Sequence, residues 1–277
     1  MPSEAELRQE IADFSRMCYQ KNYLAATDGN LSVRLLDGNV LCTPTRINKG
    51  FVQPQDSVVV DMDGNLVRGD RKASSEIEMH TLIYRLRPDV NAVVHCHPQA
   101  ATAYAAAGVP LNKALISEVI LALGCIPITD YGTPGTAELT DELTPFVEHY
   151  DALLMANHGV VTYGEDLMDA YNRMDTVEHF AKISIYTQIL GKEQLLSSED
   201  VEKLWVQRQK YYGLETSDDA RPKDPMCPVT DGRSDTTAVS SGPSDMIPLS
   251  GGGGETISMS KAELVDLINE VVSNLEK

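Results

Sequence analysis

Two imidazoles two residues apart, in Asn91-Ala92-Val93-Val94-His95-Cys96-His97-Pro98, have the clearest chemical use of any residues in this chain. The run is apolar and β-rich, and Pro98 lacks the N–H that would extend a ladder, so it predicts a buried strand over 91–96. Side chains on a strand alternate faces. His95 and His97 therefore point the same way and can reach one ion, while Cys96 turns to the opposite face. A third imidazole, His158, stands in Asn157-His158-Gly159 between two apolar runs, where Gly159 permits a sharp backbone that aims a side chain into a cleft. Three imidazoles leave one position of a tetrahedral ion open, the catalytic rather than the structural arrangement. The plainer account is a set of hydrogen-bonded histidines in the core or on the surface. His80, His149 and His179 sit in helical segments without partner spacing and read as helix-surface or core residues.

Glu76, in Lys72-Ala73-Ser74-Ser75-Glu76, is the candidate carboxylate. Two accounts compete. Ser74 or Ser75 caps a helix and Glu76 favours its positive end, worth about 0.3–1 kcal/mol. Alternatively the two hydroxyls and free N–H groups bind an anion while Glu76 acts as acid/base beside a metal. Thr27-Asp28-Gly29-Asn30 and Thr43-Pro44-Thr45-Arg46 are turn-rich segments with small donors, open to the same choice between β-turn chemistry and a phosphate cradle.

Elements of both periods must position these groups. Residues 4–21 carry apolar positions at helical spacing (Leu7, Ile11, Phe14, Met17, Cys18), with Ser3 as N-cap. Short β-rich runs follow at 31–35, 40–43 and 58–60, with Asp37-Gly38 and Asp63-Gly64 as turn signals. Helices are expected over 76–87, 99–107, 136–149, 165–190 and 198–211, and further strands near 125–128, 152–155 and 159–162. Such a mixture predicts a three-layer α/β/α domain around a largely antiparallel sheet, occupying 1–213. Residues 214–255 are rich in Ser, Thr, Asp, Pro and Gly and read as a flexible linker. Residues 256–277 read as an amphipathic helix: Ser260 and Glu263 form a capping box, and Leu264, Leu267, Ile268, Val271, Val272 and Leu275 share one face. Such a helix on a tether wants a partner.

The chain has 277 residues and a formal net charge of −18, which argues against nucleic acid, whose phosphates demand a basic surface, and against an anionic membrane. No run approaches the roughly 18 apolar residues of a membrane span. Five scattered cysteines without C-x-x-C spacing, and an N-terminus without signal-peptide character, fit a reducing cytoplasm.

Taken in order, Thr27-x-Gly29-Asn30-x-Ser32-x-Arg34, Thr43-Pro44-Thr45, Ser74-Ser75-Glu76, His95-x-His97 and Asn157-His158-Gly159 resemble the class II aldolase/adducin family over roughly residues 5–190. The resemblance implies zinc held by His95, His97 and His158, with Glu76 near or on the metal as acid/base. It implies phosphate bound by Gly29, Asn30, Thr45, Ser74 and Ser75 with Thr27 nearby, and a homotetramer with interfacial active sites. The implied reaction is reversible cleavage of a ketose 1-phosphate, L-fuculose 1-phosphate or L-rhamnulose 1-phosphate, to dihydroxyacetone phosphate and L-lactaldehyde. Zinc would be the Lewis acid that the carbanion left by bond breaking requires. Glu at position 76 favours aldolase over the related L-ribulose-5-phosphate 4-epimerases, which carry Asp there. A methylthioribulose-1-phosphate dehydratase and a non-catalytic adducin-like module are the other readings within the family. Three positions depart from the aldolases. Arg46 replaces a glycine of the phosphate loop, where it either adds a charged contact or narrows the site. Glu118 aligns with the tyrosine that protonates the aldehyde-derived oxygen, and Tyr211 or Tyr212 corresponds to a C-terminal tyrosine. Residues 256–277 resemble the encapsulation peptides that carry enzymes into bacterial microcompartments, which implies a shell or cargo protein as partner and the microcompartment lumen as location. An oligomerisation helix is the alternative.

Overall fold

The computed structural model describes residues 2–212 and the segments 246–250 and 256–260. The chain divides into two units, Met1–Val229 and Thr230–Lys277. In the first, helix α1 (Glu4–Gln20) starts at the expected cap: Ser3 Oγ accepts the Glu6 N–H while the Glu6 carboxylate accepts from Ser3. Strands β1 (Asn30–Arg34), β2 (Val40–Cys42), β3 (Val58–Val60) and β4 (Leu66–Arg68) follow as a meander, turned at Asp37-Gly38 and Asp63-Gly64. Next come α2 (Ile77–Leu86), β5 (Ala92–Cys96), α3 (Gln99–Ala107), α4 (Ser117–Ala122), β6 (Ile128–Thr129), α5 (Ala137–Val147), β7 (Ala152–Met155), β8 (Gly159–Gly164), α6 (Leu167–Ile189) and α7 (Ser198–Tyr212). Of these, α4 had no signal in the sequence reading; it is short, and its run of apolar residues has no clear period.

The strands form one eight-stranded sheet, ordered β4-β3-β2-β1-β5-β8-β7-β6, in which every neighbouring pair is antiparallel except β7 and β6. Alternation divides the core into two layers. Leu31, Val33, Val94, Cys96, Leu154 and Val160 pack with α1, α3 and α6. Val40, Cys42, Val93, Leu153 and Val161 face α2 and α5. The three-layer α/β/α arrangement is thus the one expected, and Cys96 lies on the face opposite the histidines. A smaller cluster joins α4 to α7 through Ile120, Val201 and Trp205.

In the second unit, β9 (Met246–Ser250) and β10 (Thr256–Ser260) pair antiparallel, Ile257 opposite Leu249. Strand at 246–250 and 256–260 differs from the flexible linker expected over 214–255 and the helix expected over 256–277 in those two segments. Ile247, Leu249, Ile257 and Met259 carry β-branched and apolar side chains in alternation on either side of Gly251–Gly254, a hairpin pattern that the overall polarity of the segment masks. The predicted helical face from Leu264 to Leu275 lies outside the described residues.

Candidate active site

The end of β5 and the turn between β7 and β8 bring three imidazoles together. His95 is fully buried, pairs with Asn30 of β1 and Val161 of β8, and donates from Nδ1 to the Val160 carbonyl at 2.9 Å. That bond leaves its Nε2 lone pair facing the cluster. His97 follows β5; its backbone N–H donates to the Tyr23 carbonyl at 2.8 Å, and Pro98 ends the ladder as expected. The free N–H groups at the start of α3 donate to the buried Glu178 carboxylate of α6, Ala100 at 3.0 Å and Ala101 at 2.9 Å. A residue distant in sequence thus performs the capping that Pro98 cannot.

His158 is aimed by Asn157, whose φ of 55° is left-handed. This corrects the role expected of Gly159, whose own backbone is ordinary. Glycine is needed there for space: a Cβ would come within 2.4 Å of His97 Cδ2 and 2.7 Å of the Cys96 carbonyl. Gly29 is constrained similarly, its φ being 66° and a Cβ lying 2.7 Å from the His95 carbonyl.

The three histidines can hold a metal ion, with ligand atoms all within 4.8 Å of one another. A tetrahedral ion with bonds of 2.0–2.1 Å would set its ligands about 3.3 Å apart. His95 Nε2 and His97 Nε2 lie 3.1 Å apart. Burial, with His95 and His158 beside it, pushes the His97 imidazole down to about 3, so it presents a lone pair. His158 Nδ1 and Glu76 Oε1 are buried without a hydrogen-bond partner among the described residues. Three converging imidazoles beside an ionised carboxylate fit a cation.

Glu76 occupies the N-cap position of α2, with φ −105° and ψ 20°, yet makes no side-chain cap. Its carboxylate turns instead into the cluster: Oε1 is 3.1 Å from His158 Nε2 and Oε2 is 3.4 Å from His95 Nε2. Ser74 Oγ accepts the Glu76 N–H at 3.2 Å. Ser74 thus closes a turn just before α2 rather than capping it, the role that the first account expected of Ser74 or Ser75, and the carboxylate of the N-cap residue is left free of a capping role. Burial pushes the Glu76 carboxyl up, but His95 and His158 outweigh it and hold the group well below the usual carboxylate range.

The phosphate candidates are gathered by backbone. Thr45 N–H donates to the Lys72 carbonyl at 3.0 Å, and Pro44 pairs with Ala73, joining the Thr45–Arg46 loop to Ser74 and Ser75. Arg46 is exposed with φ 58°, a left-handed backbone that suits glycine. Lys49, which the sequence reading passed over, is buried and ties the Thr27 loop to this one, donating to the Thr27 carbonyl at 2.8 Å and the Ile47 carbonyl at 3.0 Å. Burial pushes its ammonium down to about 8. Thr27 is exposed above it, and Asn30 is buried with its side-chain amide on Glu76. By contrast, no described contact joins Glu118, exposed in the first turn of α4, to the histidines. Tyr211 and Tyr212 end α7, and their side chains lie outside the described residues.

Fold and site together define an α/β/α domain with a three-histidine cluster able to hold a metal ion and a carboxylate beside it. Residues 9–185 match the class II aldolase and adducin N-terminal domain, and the chain belongs to that family. An L-fuculose phosphate aldolase of Methanococcus maripaludis is 33% identical over 179 residues, covering 63% of this chain and 96% of its own. A 3-oxo-tetronate 4-phosphate decarboxylase of Escherichia coli is 35% identical over 184 residues, covering 65% of this chain and 86% of its own. A solved structure of an L-fuculose 1-phosphate aldolase superposes with a TM-score of 0.70 at 31% identity, covering 76% of this chain and 98% of its own.

Proposed function

We propose that this chain is a zinc-dependent aldolase that reversibly cleaves a ketose 1-phosphate, L-fuculose 1-phosphate or L-rhamnulose 1-phosphate, to dihydroxyacetone phosphate and L-lactaldehyde. The observation that carries this reading is the buried Glu76 carboxylate set against the histidine cluster, Oε1 3.1 Å from His158 Nε2 and Oε2 3.4 Å from His95 Nε2. His95, His97 and His158 hold the metal, which when bound supplies Lewis acidity toward the oxygens beside the breaking bond. Gly29, Asn30, Thr45, Arg46, Ser74 and Ser75, with Thr27, hold the phosphate end. Glu76 removes a proton from the carbon of the three-carbon phosphate in condensation and returns it in cleavage. The hydroxyl at the far side of the breaking bond loses its proton as it becomes the aldehyde. Glu118, Tyr211 and Tyr212 are the candidates for that second acid/base, supplied across the interfaces of a homotetramer.

A coupled assay for dihydroxyacetone phosphate release from both sugar phosphates tests the reading. Release from at least one, reduced about 10²- to 10⁴-fold in Glu76→Gln with bound metal retained, supports it. No release from either, or full activity in the variant, overturns it. The Escherichia coli relative motivates a second reading, loss of carbon dioxide from a 3-oxo acid phosphate. It breaks a bond to the same carbon and needs the same proton return, and carbon dioxide release from such a substrate in place of aldehyde distinguishes it.

The domain boundaries belong to the same proposal: catalysis by 1–213, a tether over 214–255, and residues 256–277 docking on a microcompartment shell or cargo protein. Removing 214–277 should leave cleavage intact and abolish co-localisation with shells. Unchanged co-localisation contradicts the docking role.

A further inference from the structure

Behind Glu76 runs an unbroken file of buried polar groups, of which the reaction above uses Asn30 alone. Asn30 Nδ2 lies 2.8 Å from Glu76 Oε2, and Asn30 Oδ1 lies 2.5 Å from His80 Nε2. His80 Nδ1 lies 2.6 Å from Ser32 Oγ, which lies 2.8 Å from the Tyr84 hydroxyl. Asn30, Ser32, Glu76, His80 and Tyr84 are all buried. The spacing explains how they meet. Glu76, His80 and Tyr84 recur every four residues on one face of α2, and Asn30 and Ser32 are two apart on one face of β1. The file is one helix face zipped onto one strand face.

Its polarity follows from elementary bonding. An ionised carboxylate only accepts, so Asn30 must turn its NH₂ to Glu76 and its carbonyl oxygen to His80. His80 must then donate from Nε2. Its buried ring is neutral, so Nδ1 accepts, Ser32 donates to it, and the Tyr84 hydroxyl donates to Ser32. Without a donor at His80, the Asn30 amide is free to reverse and present oxygen to a carboxylate. With it, Oε2 is occupied by the Asn30 amide, while Oε1 faces only His158 Nε2, 3.1 Å away in the cluster.

We infer that His80 is a positioning residue that, through Asn30, ties down Glu76 Oε2 and reserves Oε1 as the oxygen that carries the proton. The inference rests on the reading of Glu76 as the acid/base. It assigns to His80 a role distinct from the ligands: it touches neither metal nor substrate, and acts on the orientation of a group that does.

The test uses the full-length, zinc-loaded chain. His80→Leu should lower kcat by about 10- to 100-fold, the usual effect of losing a group that orients a metal-site residue, while KM and bound zinc stay near wild type. His80→Gln, which keeps an N–H at similar reach, should recover most of the loss. Tyr84→Phe, a milder change that removes only the far donor, should lower kcat in the same sense. Wild-type kcat in His80→Leu, or loss of kcat and zinc together without recovery in His80→Gln, overturns the inference. Imidazole ¹⁵N resonances read the file independently of any substrate: a neutral His80 protonated at Nε2 is expected. A proton on Nδ1 instead, or on both nitrogens, overturns it. If the wild type cleaves no ketose 1-phosphate, the proposed function fails and these resonances still decide the orientation of the file.

Discussion

At the scale of single residues, the centre depends on close approaches as much as on ligands. Gly159→Ala would thrust a methyl group against His97 Cδ2 and the Cys96 carbonyl, both backed by β5. The expected outcome is loss of bound zinc with the fold retained, measured by metal analysis and circular dichroism; a variant with full zinc content contradicts the geometry. His80 makes a second prediction, on stability. Burial pushes its imidazole down to about 3 from an ordinary value of 6.5. As pH falls below that ordinary value the unfolded chain takes up a proton at this position and the folded chain does not. Stability is therefore lost between about pH 6.5 and pH 3, by at most about 1.4 kcal/mol per pH unit from this residue. Urea unfolding at about pH 7 and about pH 5 should show a shallower dependence in His80→Gln than in wild type. Equal slopes contradict a buried neutral imidazole.

At the scale of elements, the centre is a strand end, a turn and a helix start, each fixed by a partner from elsewhere in the chain. Glu178 of α6 caps α3 immediately after His97. Glu178→Ala should destabilise the domain by about 0.5–2 kcal/mol, read from the urea midpoint, and an unchanged midpoint denies the cap its role. The strand 91–96 and the faces of His95 and Cys96 were legible because a period of two and a following proline are local signals. The N-cap of α1, Ser3, was legible for the same reason. Glu178 was not, since a carboxylate in mid-helix carries no mark of the distant N–H groups it serves. Lys49 lay in a turn-rich loop, where a lysine ordinarily points to solvent. His80 sits on a helix without metal-ligand spacing, and the recurrence of Glu76, His80 and Tyr84 at intervals of four is the one local mark of its polar file. Its meaning needed the register of β1, and pairing register is set by tertiary packing.

At the scale of the molecule, a net charge of −18 surrounds a site read as binding a phosphate dianion. The exposed Arg46 and the buried Lys49, which ties down the Thr27 loop, supply local positive charge that the surface as a whole lacks, and the proposed metal would add to it. Among the described residues no helix is long and apolar enough to cross a membrane. The proposed bond cleavage depends on a metal held by His95, His97 and His158. It is tested most directly by stripping the chain with a chelator and following dihydroxyacetone phosphate release as zinc is returned. The account predicts no release without metal and a linear rise that breaks at one zinc per subunit. Full activity in the stripped protein, or activity indifferent to added zinc, would contradict it.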